Sequence, residues 1–125
     1  MMSINWESVL RHVYAYWGHA SEFRQSHDAS GVMALFKGRV MWLDTIEAER
    51  GQGTAAMEEL MDFAKLEGVR YIGLQVVPLG HADEAALVRF YQRHGFVLHT
   101  DLAQENDDFP VMVADLHRSF AGVTT

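Results

Sequence analysis

The run Tyr71-Ile72-Gly73-Leu74-Gln75-Val76-Val77 is apolar at almost every position. A strand with one wet face alternates apolar and polar residues, whereas a strand covered on both faces is apolar nearly throughout. Tyr71–Val77 therefore predicts an interior strand, ended by Pro78-Leu79-Gly80, and the flanking segments have the pattern of helices able to cover it. Residues 53–67 (GTAAMEELMDFAKLE) place Ala56, Leu60, Phe63 and Ala64 on one helical face, with Met57 and Met61 beside them. Gly68 follows as a C-terminal stop. Residues 82–94 (ADEAALVRFYQRH) predict a further helix, with acidic Asp83 and Glu84 in its first turn and Gly95 as its stop.

The remaining segments complete an α/β pattern. In residues 4–17, Ile4, Val9, Leu10, Val13, Tyr14 and Trp17 fall at spacings that become three and four, which predicts an amphipathic helix capped by Ser3. Residues 18–30 are polar and suit a loop or a short second helix. Lys37-Gly38-Arg39 splits the next stretch into two β-like runs, Val32–Phe36 and Val40–Ile46, which predicts a hairpin. Phe96–Thr100 and Val111–Leu116 are strands on either side of a polar loop, 101–109. A mixed sheet with helices against it is the expected architecture. The chain has 125 residues, no internal repeat and only two prolines, Pro78 and Pro110, so a single domain over residues 1–125 is expected.

Composition narrows the function classes. No window holds the apolar residues of a membrane-spanning helix, and Glu7, Arg11 and His12 interrupt the N-terminal segment where a signal peptide would be apolar. No membrane partner is expected. The chain has no cysteine, which excludes disulfides, thiolate metal sites and a cysteine nucleophile, and the expected location is the cytoplasm. The formal net charge of −7 argues against a nucleic-acid partner and suits either plain solubility or a basic acceptor. The histidines show no metal-ligand spacing, so no metal is expected.

The segment richest in chemistry is Arg50-Gly51-Gln52-Gly53-Thr54-Ala55, which lies between a strand and the start of a helix. The first turn of a helix leaves backbone N–H groups unpaired and carries partial positive charge, so phosphates bind there when no side chain obstructs them. Gly51 and Gly53 remove Cβ atoms, Ala55 keeps the turn tight, and Arg50 adds a charge-assisted contact. Two glycines alone are more often an ordinary tight turn. No Lys-Ser/Thr pair follows them, as a Walker loop would require, and a dinucleotide fingerprint would need a third glycine.

The full arrangement, Thr45-Ile46-Glu47-Ala48-Glu49-Arg50-Gly51-Gln52-Gly53-Thr54-Ala55, resembles the acetyl-CoA motif of the GNAT superfamily of N-acetyltransferases. A second stretch, Phe90-Tyr91-Gln92-Arg93-His94-Gly95-Phe96, resembles a later motif of that family, and the two occur in the family's order. The resemblance covers residues 40–116. It implies a GNAT-like mixed, mostly antiparallel β-sheet flanked by helices, in which two central parallel strands splay apart around acetyl-CoA. Backbone groups near Leu43 and Thr45 would pair with the pantetheine, and Arg50, Gly51, Gln52, Gly53, Thr54 and Ala55 would hold the pyrophosphate. Tyr91 would touch the cofactor and act as general acid for the departing thiolate, while a primary amine, small or protein-borne, attacks the thioester directly. The resemblance leaves a homodimer open, and a non-catalytic CoA-binding or protein-interaction module on the same fold is the alternative.

The chain departs from the family pattern at two functional positions. Glu84 stands where an asparagine often contacts the cofactor, and Gln75 where many members carry a glutamate as general base. Asp44, Glu47, Glu49 and His81 are the alternative bases, each also readable as solvated surface. Trp42 suits core packing or the wall of an acceptor pocket.

Overall fold

The computed structural model describes residues 2–4, 10–25, 33, 35–48, 53–77, 83–99 and 110–116. Their elements run β1 (Met2–Ile4), β2 (Leu10–His19), a 3-10 helix (Ala20–Gln25), β3 (Arg39–Ala48), α1 (Gly53–Leu66), β4 (Tyr71–Gln75), α2 (Glu84–Arg93), β5 (Phe96–Leu98) and β6 (Val111–Asp115). The six strands form a sheet ordered β1-β2-β3-β4-β6-β5. The β3–β4 pair is parallel and the other four pairings are antiparallel, so the sheet is mixed and mostly antiparallel.

The apolar run beginning at Tyr71 occupies the interior position expected of it, between β3 and β6. On one face Ile72 and Leu74 join Ala15, Trp17, Met41, Leu43, Met112 and Ala114 beneath the buried side of α1. The other face carries Val40, Trp42, Val111 and Val113, covered by Phe23 of the 3-10 helix and by Met33. Burying a side chain such as Leu60 or Ile72, each fully enclosed, contributes about 1.5–3 kcal/mol. Cover on the second face is close. A Cβ added at Gly73 would run into the Met33 Sδ and stand 3.2 Å from the Trp42 ring.

α1 buries Ala56, Met57, Leu60, Met61 and Ala64, the face its spacing marks, with Phe63 packed partly against the same core. It ends at Leu66, and the stop lies at Gly68, whose φ of 76° only glycine adopts freely. The Gly68 N–H donates to Lys65 O at 3.1 Å and the Val69 N–H to Ala64 O at 2.9 Å, the paired bonds of a Schellman stop. At the start of α2, the Asp83 carboxylate accepts from the Ala85 N–H at 3.2 Å. No α2 residue is fully buried, and Leu87, Val88, Phe90 and Tyr91 lie along the rim of the core.

Two expectations are overturned. The described parts of residues 4–17 form strands, not a helix: Met2–Ile4 pairs with Ala15–Trp17, and Leu10–His19 pairs along β3. Leu10, Val13, Tyr14 and Trp17 suit a helical stripe, but the burial follows a two-residue period, with Ala15 and Trp17 inside and Tyr14 outside. Val13, Tyr14, Tyr16 and Trp17 are also residues that favour strands. The hairpin of Val32–Phe36 with Val40–Ile46 is absent too. Of the first run, Met33, Leu35 and Phe36 are described and lie in no strand; the Phe36 N–H instead donates to Met33 O at 3.2 Å in a tight turn. β3 takes β2 as its antiparallel partner.

Candidate functional site

β3 and α1 set the candidate site. β3 pairs with β4 at Val40↔Tyr71, Met41↔Ile72, Trp42↔Gly73 and Leu43↔Leu74, and the ladder stops there. β3 continues to Ala48, still paired with β2 on its other side. β4 stays paired with β6 along its whole length, and past its end the Val76 N–H donates to Pro110 O at 2.8 Å. Asp44 is the first β3 residue beyond the shared ladder. It is exposed, and an irregularity falls at this point, because Tyr14 pairs with Thr45 while Ala15 pairs with Leu43. The extra residue on β3 is a bulge, which bends a strand and re-aims the groups beside it. Nothing in the sequence around Asp44 signals that bulge.

α1 starts at Gly53, with Thr54 and Ala55 exposed in its first turn. No acidic residue stands in that turn, so the positive end of the helix is not offset there. The Leu43 side chain is buried in the core, which leaves its backbone as the functional group, and Thr45 lies in β3 opposite Tyr14. Arg50, Gly51 and Gln52 lie outside the described residues, as do Glu49 and His81. Gln75 ends β4, half-buried, and Glu84 opens α2, exposed. Trp42 is 5% exposed and packs with Val40 and Phe23, a core position.

The two sequence motifs meet in space. A Cβ built on Gly53 would stand 3.5 Å from Phe90 Cε1, so the ring before Tyr91 rests against the first residue of α1. That contact was not foreseen from the sequence, where Phe90 reads only as the apolar residue preceding the tyrosine. Tyr91 packs edge-on against Phe96, with ring centroids 5.6 Å apart, and lies against the core under α1. Burial pushes its phenol above the ordinary tyrosine value, because the ionised form loses hydration. His94 caps α2 and sits 4.9 Å from the Phe90 ring. Burial lowers its pKa, Glu58 acts in the opposite direction, and Arg93 lowers it further.

The described cavity of about 610 Å³ lies elsewhere, lined by Phe36, Tyr71, Gly95, Val97, His99, Val113 and Asp115. It is at the Tyr71 end of β4, three residues from Leu74, or about 10 Å along a strand.

No protein-family model matches the chain, and no curated protein matches it. Among solved structures, the fold is similar to that of an agmatine N-acetyltransferase in apo form, with a TM-score of 0.50 and 11% identity over 82% of this chain and 67% of that one. A Desulfovibrio desulfuricans protein assigned to the GNAT acetyltransferases gives a TM-score of 0.46 and 17% identity, over 83% of this chain and 61% of that one. Arabidopsis thaliana NAA60 in complex with acetyl-CoA gives 0.48 and 15%, over 84% and 63%. The chain thus spans less than two thirds of the length of the Desulfovibrio and Arabidopsis proteins. At such identities the likeness is one of fold. The resemblance to GNAT acetyltransferases carried by the two motifs is met at that level, in a mixed α/β sheet similar to that of the agmatine enzyme.

Proposed function

We propose that the protein is an acyltransferase that moves the acetyl group of acetyl-CoA to a primary amine by direct attack on the thioester carbonyl. The observation that carries the proposal is the meeting of the two motifs. The start of α1 and Phe90 of α2, the residue before Tyr91, stand together at Gly53. Main-chain groups of β3 beyond Leu43 would pair with the extended pantetheine as a further strand. The first turn of α1, with Arg50, Gly51, Gln52, Gly53, Thr54 and Ala55, would hold the pyrophosphate through backbone N–H groups. β3 and β4 would splay to admit the cofactor between them.

In the reaction a nitrogen–carbon bond forms and the carbon–sulfur bond breaks. The Tyr91 hydroxyl gives its proton to the departing sulfur, and burial favours the protonated phenol needed for that role. The attacking nitrogen loses a proton to water or to a neighbouring carboxylate, because the Gln75 amide cannot accept one. Catalysis then rests mainly on holding the two reactants in line. Acceptors in the class of agmatine or a protein N-terminus fit this chemistry.

Calorimetric titration with acetyl-CoA tests the binding step, and release of free CoA thiol with a panel of amines tests transfer. The protein has no cysteine to contribute background thiol. The absence of any heat with a CoA thioester, for correctly folded protein, refutes the proposal. Gln75 favours one second reading, a CoA-binding module without turnover, which predicts heat but no thiol release.

A further inference from the structure

Outside the proposed acyl-transfer site, three rings and a carboxylate converge on one cavity. Phe36, Tyr71 and His99 line it together with Asp115, Val97 and Val113. The Phe36 and Tyr71 ring centroids are 4.8 Å apart, and the Phe36 and His99 rings meet edge to face at 6.4 Å. Aromatic faces beside a carboxylate attract cations, through the negative face of each ring and through the formal charge. The chain already supplies one such cation. The Arg70 guanidinium lies 4.9 Å over the Tyr71 ring, and its Nε is 3.7 Å from the Asp115 Oδ1. Arg70 is 44% exposed in its side chain and Asp115 is 24% exposed, so the pair is long, wet and weakly held. The volume of about 610 Å³ is that of a small-molecule pocket.

We propose that this cavity is a second binding site, for a small organic cation with an apolar body, and that Arg70, which contacts Tyr71 and Asp115 of its lining, is the competing cation. The ammonium of the ligand would displace the guanidinium from Asp115 and Tyr71, and its apolar part would lie on Phe36, Val97 and Val113. The site is separate from the end of the β3–β4 ladder, because Met33 and Trp42 cover Gly73 on the sheet face between them. The net charge of −7 adds a general attraction for cations.

Titration of the full chain with 2-phenylethylammonium, and separately with neutral 2-phenylethanol, tests the proposal by calorimetry or by chemical-shift changes, without acetyl-CoA. The ammonium is expected to bind about ten-fold more tightly than the alcohol. Asp115→Asn should weaken ammonium binding by about ten-fold. Arg70→Gln, which removes the competitor, should tighten it by about three-fold. A purely structural role for Arg70 would leave affinity unchanged or weaken it. Equal affinity for ammonium and alcohol, or no gain in Arg70→Gln, overturns the proposal. If Asp115→Asn fails to fold, the Arg70 and alcohol comparisons still decide it. Repeating the titration at saturating acetyl-CoA should give the same affinity; a change would overturn the assignment as a second site and make the cavity the acceptor pocket. The measurement needs no turnover, so it stands or fails independently of acetyl transfer.

Discussion

Tyr91 joins burial and chemistry in one side chain. Tyr91→Phe keeps the ring contact with Phe96 and removes only the hydroxyl, so turnover should fall by about 10²–10⁴-fold while acetyl-CoA affinity stays near that of the parent. Steady-state rates and calorimetry on the same variant check both halves. The raised phenol pKa also fixes the sign of a stability effect. The unfolded chain releases the tyrosine proton near pH 10, whereas the folded chain retains it to higher pH. Between those points the unfolded state binds fewer protons, so stability falls as pH rises above about 10. Urea melts across that range should show the loss in the parent and a smaller one in Tyr91→Phe. His94 works from the acid side. Its lowered pKa means that stability contributed by the neutral ring is lost as pH falls below about 6.5. Gly53 faces Phe90 at ordinary contact distance, so Gly53→Ala should fold and bind, whereas Gly53→Leu should push the ring away and weaken acetyl-CoA binding. Unchanged CoA affinity in Gly53→Leu would count against the phosphate role of the turn.

The helices were the most readable elements, and the reason lies in their ends and faces. α1 combines an apolar stripe with a glycine stop, two signals that agree, and it runs from Gly53 to Leu66 as its pattern indicates. Gly68→Ala should cost about 1–2 kcal/mol, through the positive φ rather than through any clash. Leu60→Ala, at a fully enclosed position, should cost about 2–5 kcal/mol in a chemical melt. β2 was the least readable element. Its apolar residues fit both periods, and the extra residue between Leu10 and His12 breaks the alternation that would have settled the choice. Of the candidate site, the glycine turn and Tyr91 could be named from local motifs, because each motif is contiguous. The Gly53–Phe90 contact, the bulge at Asp44 and the ring-lined cavity join residues distant in sequence, and one chain carries no signal for such pairings.

Across the molecule, ligand binding and folding are linked. If acetyl-CoA binds only the folded chain, a concentration of 100 times the dissociation constant adds about 2.7 kcal/mol of stability. For a chain of this length that should raise the melting temperature by about 10 °C. A thermal-shift series with acetyl-CoA, CoA and longer acyl-CoAs would show this and rank the acyl groups. No helix in the described residues is long and apolar enough to cross a membrane.

The strand order β4-β6-β5 places the last of these strands to be synthesised between two made before it. β4 and β5 are therefore made before their shared neighbour, each with a row of amide and carbonyl groups that β6 alone can pair. Closure of the sheet must wait until Asp115 has emerged. A fragment ending before Val111 should accordingly be cut readily by protease, and the full chain should resist.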